Sequence, residues 1–195
     1  MNKSILAPFL LLIFSYSFSQ KRIDPTPEHI AQAKALKEQF SDVDVVLLKS
    51  KDHVTFNLNK KATKLSVFHK TDEHLMNISS RADIQKYVFY DNESSVARFD
   101  IHYRNKRSAP INLKDESYTS NDLFHNDARV KFAHLDFPVQ GYTYFFGATK
   151  RYKDIKYFTT LYFTGEYPIL EKESKIVVPT WLDIDFKELN FEGHD

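Results

Sequence analysis

The residues with the clearest capacity for chemistry are histidines, of which the chain has 8. We single out two that stand two positions from an aspartate: His102 follows Asp100, and His134 precedes Asp136. Side chains two positions apart share one face of a strand, so each pair would place an imidazole beside a carboxylate. A zinc site needs three or four ligands, and pairs of this kind arise by chance in a chain rich in charge. We therefore assign no metal ligand to His102 or His134.

The usual catalytic motifs are missing from the sequence. The chain contains 0 cysteines, so it offers no thiol nucleophile, no thiolate ligand and no disulfide. It has no G-x-S-x-G elbow, and its 4 glycines form no phosphate-binding pattern. The sequence therefore predicts a noncatalytic protein with no cofactor and no catalytic, cofactor-binding or metal-binding residues.

Aromatic residues offer a different chemistry, the stacking of flat rings against sugars or partner proteins. The run 142–146 holds four aromatic side chains, and Trp181 is the single tryptophan. Packing between sheets is the interpretation that we favour for such residues. A coplanar exposed row that included Trp181 would instead indicate a glycan-binding module.

The charge balance argues against nucleic acid as a partner. The whole chain has 27 basic and 26 acidic residues, and Lys3 is the only charged residue among the first 19. Without that segment the balance is 27 − 1 = 26 basic against 26 acidic residues. Nucleic-acid binding normally shows a basic excess or a basic face with interleaved aromatic residues, and neither is evident.

The first residues predict export. A short basic start ends at Lys3, and residues 4–18 form an apolar run that is too short for a permanent anchor. Ser17 and Ser19 supply the small residues that a signal peptidase requires, so we expect a signal peptide over 1–19 and cleavage between Ser19 and Gln20. A stop-transfer pattern and a lipoprotein cysteine are both missing. We expect a periplasmic or secreted protein without a permanent membrane anchor.

The remaining residues predict a linker over 20–26 and one β-rich domain over 27–195. Thr26 as a cap, Pro27 at the first helical position and Glu28 in the first turn mark the start of a helix. Apolar residues at helical spacing, from Ile30 to Phe40, extend it as one short amphipathic helix over 27–40.

Beyond Val43 the apolar residues alternate with polar ones, which is typical of half-buried strands. Polar clusters at 50–52, 59–61, 70–73, 91–93 and 105–108 suggest turns between them, and therefore a meander of antiparallel strands in a β-sandwich-like fold. The pattern weakens over 110–137, which we interpret as a long connection or an irregular edge. Further strands are expected at 142–146, 155–163, 167–170, 176–178 and 182–186. Six residues should share one core: Val54, Phe56, Ile101, Tyr103, Leu161 and Phe163.

Three groups of segments resemble a known family. They are 35–40 followed by 44–48, then 80–87, and finally 154–158 leading to 166–169 and 178–179. Together they resemble exported bacterial proteins that carry the domain of unknown function 3857, a β-rich module found N-terminal to transglutaminase-like domains. The similarity runs from about Leu36 to Gly193 and includes no signature catalytic residue.

This resemblance implies an accessory β-domain in a periplasmic or secreted protein of a gram-negative bacterium. It also implies that the natural protein continues beyond Asp195 into a transglutaminase-like domain. We expect a noncatalytic module that interacts with a protein or positions a neighbouring domain. Two alternatives remain: the N-terminal fragment of a transglutaminase-like enzyme whose catalytic half is missing, and a glycan-binding module. The partner is thus an unknown protein or glycan.

Overall fold

The computed structural model describes residues 23–61, 63–118 and 127–188. These ranges contain one α-helix and eight strands, so the predicted mainly β fold with a single N-terminal helix is confirmed. The elements are α1 (Pro27–Gln39), β1 (Val45–Leu58), β2 (Leu65–Asn77), β3 (Ala82–Tyr90), β4 (Ser94–Tyr103), β5 (Lys114–Ser117), β6 (Arg129–Phe137), β7 (Thr143–Tyr152) and β8 (Lys172–Val177). The predicted signal peptide and its cleavage point lie outside the described residues.

Helix α1 begins and ends close to the predicted positions. Thr26 Oγ1 accepts a hydrogen bond from the His29 amide at 3.3 Å, and Pro27 occupies the first turn. Ala33 and Leu36 are buried against a group that we name the helix cluster, formed with Val46, Met76 and Ile78. The helix therefore covers one face of β1 and β2.

The strands form two sheets. A five-stranded sheet has the order β4-β7-β2-β1-β8, and a three-stranded sheet has the order β3-β6-β5. All pairs are antiparallel except β1 and β8, which are parallel. The predicted sandwich-like arrangement is confirmed, but the expectation of antiparallel pairing alone is wrong at this edge.

The parallel pair requires a connection across the sheet. Residues 153–171, which we name the crossover, lead from β7 over β2 and β1 to β8. The strands predicted at 155–163 and 167–170 are therefore wrong, since this segment forms a 3-10 turn at Ile155–Tyr157 and irregular backbone. The strand predicted at 182–186 is likewise irregular. The strand predicted at 176–178 begins earlier, at Lys172.

The predicted turns and the predicted long connection are also wrong in part. The turns predicted at 50–52 and 70–73 lie in the middle of β1 and β2, because polar side chains of these strands pair with one another across the sheet. The connection predicted over 110–137 contains β5 and β6, and β6 buries Ala133, Leu135 and Phe137. His134 and Asp136 alternate with these apolar residues, so this part of β6 has the pattern of a half-buried strand.

The predicted shared core is two separate clusters on one face of the five-stranded sheet. Ile101 and Tyr103 belong to the intersheet cluster, which lies against the three-stranded sheet and includes Leu47, Leu75, Tyr144, Phe146 and Leu135. Val54, Phe56 and Leu161 belong to the crossover cluster, which includes Val67, Tyr152, Phe158, Ile176, Leu182 and Ile184. Phe163 was predicted as core, but it is 41% exposed. No helix within the described residues is long and apolar enough to cross a membrane.

Candidate functional site

A band of polar side chains separates the intersheet cluster from the crossover cluster. The inward positions of β2 run from Val67 to Leu75 and hold His69, Thr71 and Glu73 between them. The matching positions of β1 hold Ser50 and Asp52. Since alternate strand residues share a face, these five side chains point to the same side as the apolar residues at either end. The sheet therefore carries a polar strip inside its covered face.

Asp52 is the best-enclosed charge of this strip. Its side chain is 5% exposed, and its Oδ1 lies 2.7 Å from His69 Nε2 and accepts a hydrogen bond from Thr71 Oγ1 at 3.0 Å. Its Oδ2 lies 2.5 Å from Lys172 Nζ on β8. Lys172 Nζ also donates to Ser50 Oγ at 3.0 Å. The ion pair thus links β1 with β8.

Burial and hydrogen bonding act in opposite directions on the pKa of Asp52. Burial alone would raise this pKa, because a charged carboxylate loses its hydration. Hydrogen bonds from His69 and Lys172, together with the positive charge of Lys172, outweigh burial and lower the pKa to about 2. Asp52 is therefore ionised throughout the physiological range.

A second ion pair lies next to the first. Lys86 Nζ on β3 lies 2.7 Å from Glu73 Oε2, and the two side chains are 14% and 12% exposed. The same ammonium lies 5.0 Å from the ring centroid of Phe146 and 5.9 Å from that of Tyr167. A carboxylate and two aromatic faces therefore surround the charge of Lys86.

The crossover covers this strip and leaves a cavity of about 340 Å³ beneath it. Leu161 anchors the crossover in the crossover cluster, and Tyr167 and Ile169 anchor it in the intersheet cluster. The segment between these anchors contributes Tyr162 and Thr164 to the cavity wall. Burial and the neighbouring Glu166 raise the pKa of Tyr167 to about 12, so its hydroxyl stays protonated.

The geometry around His69 differs from that of a nucleophile, base and acid triad. A triad uses one ring nitrogen toward the acid and the other toward the nucleophile. Here the same nitrogen, Nε2, contacts both Asp52 Oδ1 at 2.7 Å and Thr71 Oγ1 at 3.4 Å. The arrangement holds charges in place and lines a cavity with donors and acceptors.

The histidines that the sequence singled out lie elsewhere. His102 is on the opposite face of the five-stranded sheet, with its Nε2 3.3 Å from Asp100 Oδ2, a carboxylate also bound by Arg98 Nε at 2.8 Å. His134 is exposed on β6, and its nearest acid is Asp83 at 3.9 Å. Among the described residues, no group of three or more potential ligands could hold a metal ion.

Three of the four aromatic residues in the run 142–146 pack in the interior, as we favoured, whereas Phe145 stacks on His74 on the opposite face of the sheet. Tyr142, Tyr144 and Phe146 are buried in the intersheet cluster. Trp181 is 51% exposed after β8. An exposed aromatic row does occur, formed by Tyr87, Phe89 and Tyr118 in edge-to-face contact, so its rings are not coplanar.

Comparisons with known proteins give little guidance. No protein-family model matches the chain, and no curated protein sequence matches it. Among solved structures, the chain is similar to a proposed nutrient binding protein of Legionella pneumophila, with 9% sequence identity and a TM-score of 0.35. The match covers 56% of this chain and 40% of that one, so it spans less than half of the Legionella protein. A similarity at this level carries no argument about fold or function.

Sequence reasoning missed Asp52, His69, Glu73, Lys86 and Lys172. A signal was nevertheless available, because the alternate residues from Val67 to Leu75 place three polar side chains between two apolar ones. Polar side chains at the centre of a strand face that is otherwise buried predict either a partner strand with compensating charges or a cavity. The structure contains both.

Proposed function

We propose that the protein is a noncatalytic, exported β-module that acts through interaction with another protein or a neighbouring domain. The observation that supports this proposal is the edge strand β8. Among the described residues, β8 pairs only with β1, so its other side is open. An open strand edge presents unpaired backbone groups to which a strand of a partner can be added.

The orientation of the backbone identifies the available groups. The Glu171 carbonyl accepts a hydrogen bond from the Ser50 amide at 2.8 Å, so it faces β1. Backbone groups alternate in direction along a strand, which places those of Lys172, Ser174 and Ile176 on the open edge. Val177 and Val178 at the end of this segment are 42% and 38% exposed.

The opposite side of the same segment is firmly held. Ile176, Leu182 and Ile184 pack in the crossover cluster, and Lys172 is bound to Asp52. A strand that is already ordered loses little conformational entropy when a partner adds to it. This anchoring supports β8 as the point through which the module engages or positions another chain.

A site-specific photo-crosslinker in place of Val177 tests the proposal in the bacterium that makes the protein. We expect one defined cross-linked product from this position. The same crosslinker in place of Phe89, which is 41% exposed on β3, serves as the matched control and should not form it. Equal products from both positions would contradict an interaction specific to β8.

A proline variant tests the backbone contact itself. Ser174→Pro removes an amide from the open edge and leaves the hydrogen bonds with β1 in place, whereas Ser174→Ala retains that amide. The cross-linked product should disappear with Ser174→Pro and persist with Ser174→Ala. Loss in both variants, or persistence in both, would refute strand addition at β8.

A further inference from the structure

The cavity beneath the crossover has the size of a small-molecule site. Its volume of about 340 Å³ lies within the range of about 300–1,000 Å³ that is typical of such sites. Its floor is the rigid five-stranded sheet, and one wall is β3. The crossover, with an exposed segment from Tyr162 to Glu166, forms the mouth.

The enclosed charges favour a ligand without net charge. Asp52 is paired with Lys172, and Glu73 is paired with Lys86, so the four formal charges cancel. An anion or a cation would add a charge without a counter-charge beside ion-paired side chains that are only 5–16% exposed, which is costly. The one additional acid of the wall, Glu166, is exposed to solvent.

The existing contacts also disfavour a zwitterion such as an amino acid. Asp52 already has three partners, and Lys86 is enclosed by Glu73 and two aromatic rings. To form ion pairs with these side chains, a zwitterion would first have to break the ion pairs that they already make. A hydroxyl group, by contrast, can donate to a free lone pair of a carboxylate while the ion pair stays intact.

The uncharged part of the wall combines hydroxyl groups with flat rings. Thr71, Thr160 and Thr164 line the cavity, together with Tyr162 and Tyr167. Hydroxyls both donate and accept, and tyrosine rings offer apolar faces with a polar tip. A sugar ring carries the matching features, namely many hydroxyls around an apolar face.

We propose that the cavity between the five-stranded sheet, β3 and the crossover binds a neutral mono- or disaccharide. This site is distinct from the open edge of β8 and from the exposed Trp181. It does not depend on the strand-addition proposal. The polar strip supplies hydrogen-bond acceptors and donors, and the crossover supplies the rings of Tyr162 and Tyr167.

Isothermal titration calorimetry on the purified protein tests the proposal with glucose, galactose, N-acetylglucosamine, maltose and cellobiose as probes. Glutamate and alanine serve as anionic and zwitterionic probes at the same concentrations. We expect saturable binding of at least one saccharide and none of glutamate or alanine. Failure of all five saccharides to bind, or binding of glutamate or alanine alone, would overturn the assignment.

Two pairs of variants locate the binding. Thr164→Trp places a large side chain at the mouth, and Thr180→Trp makes the same change in an exposed turn outside the cavity. Tyr167→Phe removes a hydroxyl from the wall, and Tyr118→Phe removes one elsewhere. We expect Thr164→Trp to abolish saccharide binding and Tyr167→Phe to weaken it about three- to tenfold, the effect of one hydrogen bond.

The controls Thr180→Trp and Tyr118→Phe should bind like the unchanged protein. Thr164 is exposed, so its replacement should leave the melting temperature unchanged, and a loss of binding then reports a blocked cavity and not unfolding. Equal saccharide affinity in Thr164→Trp and Thr180→Trp would show that the sugar binds outside this cavity and would refute the proposal.

Discussion

Asp52 illustrates how a carboxylate can be enclosed and remain charged. It lies between two apolar clusters, where an isolated carboxylate would favour its neutral form. Lys172, His69 and Thr71 supply three contacts, and the balance lowers its pKa to about 2 from an ordinary value of 3.8. The stability of the folded protein is therefore linked to the ionisation of this residue.

We expect the protein to lose stability between about pH 4 and pH 2 through Asp52. The folded-state pKa lies below the ordinary value, so the ionised carboxylate stabilises the folded state above about pH 4, and this contribution disappears as the pH falls toward 2. The shift corresponds to about 2 kcal/mol. Urea denaturation across this range measures it.

The variant Asp52→Asn should lack this acid-dependent loss. At neutral pH the free energy of unfolding of this variant should also be about 3 kcal/mol lower, because Lys172 keeps a charge without its partner. Asp183→Asn, at an exposed position, is the matched control and should behave like the unchanged protein. A normal acid dependence in Asp52→Asn would show that another group controls this transition.

Among the elements, α1 depends on its N-cap residue, Thr26. Thr26→Ala removes the hydroxyl that accepts from the His29 amide, so an amide at the start of the helix loses its partner. We expect a loss of about 1 kcal/mol in the free energy of unfolding. Thermal denaturation followed by circular dichroism measures it. Thr180→Ala changes an exposed threonine outside any helix, and an equal loss there would rule out a capping effect.

The sequence predicts elements well where one side faces water and the other faces a core. Phe99, Ile101 and Tyr103 alternate with polar residues, and β4 lies where that alternation predicts it. The capping residues of α1 are equally local signals. Such features can be recognised from the local sequence alone, without knowing which other segment packs against them.

The candidate site was hidden because its polar residues lie at the centre of strands. Residues 50–52 and 70–73 have the composition of turns, and only the pairing of β1 with β2 and β8, together with the ion pair between β2 and β3, shows why they are strand residues. The partner of Asp52 is Lys172, and that of Glu73 is Lys86. Compensation between segments this distant in the chain is a tertiary property that local patterns do not contain.

At the scale of the molecule, the intersheet cluster and the crossover cluster should contribute independently to the free energy of unfolding. Phe56 lies at the crossover end of the sheet and Ile101 at the intersheet end. Their positions correspond to Tyr152 and Phe146 of β7, which are about 20 Å apart at about 3.3 Å per residue. The polar strip lies between them.

We expect Phe56→Ala to cost about 3–5 kcal/mol and Ile101→Ala about 2–5 kcal/mol, because each leaves a cavity in a buried cluster. In the double variant the two losses should add to within about 0.5 kcal/mol. Chemical denaturation of the four proteins in this cycle provides the measurement. A larger coupling energy would mean that the two clusters respond as one core.

Export is a prediction about the whole molecule that a mass measurement can test. We expect protein recovered from the periplasm to begin at Gln20, because Ser17 and Ser19 provide the small residues before the cleavage point. Intact-mass spectrometry distinguishes this product from the full chain. Finding residues 1–19 still attached to exported protein would contradict the prediction.

The pairing of β8 with β1 has a consequence for how the chain folds. Ser50 and Lys172 are partners in the register although they are 122 positions apart, and the ion pair of Asp52 depends on the same meeting. A nascent chain is delivered from its N-terminus, so β1, β2 and β7 can assemble before β8 is available. During that interval Asp52 lacks its lysine and the edge of β1 is open. An open strand edge can pair with another chain, and aggregation during synthesis should therefore compete most strongly until the crossover brings β8 to β1.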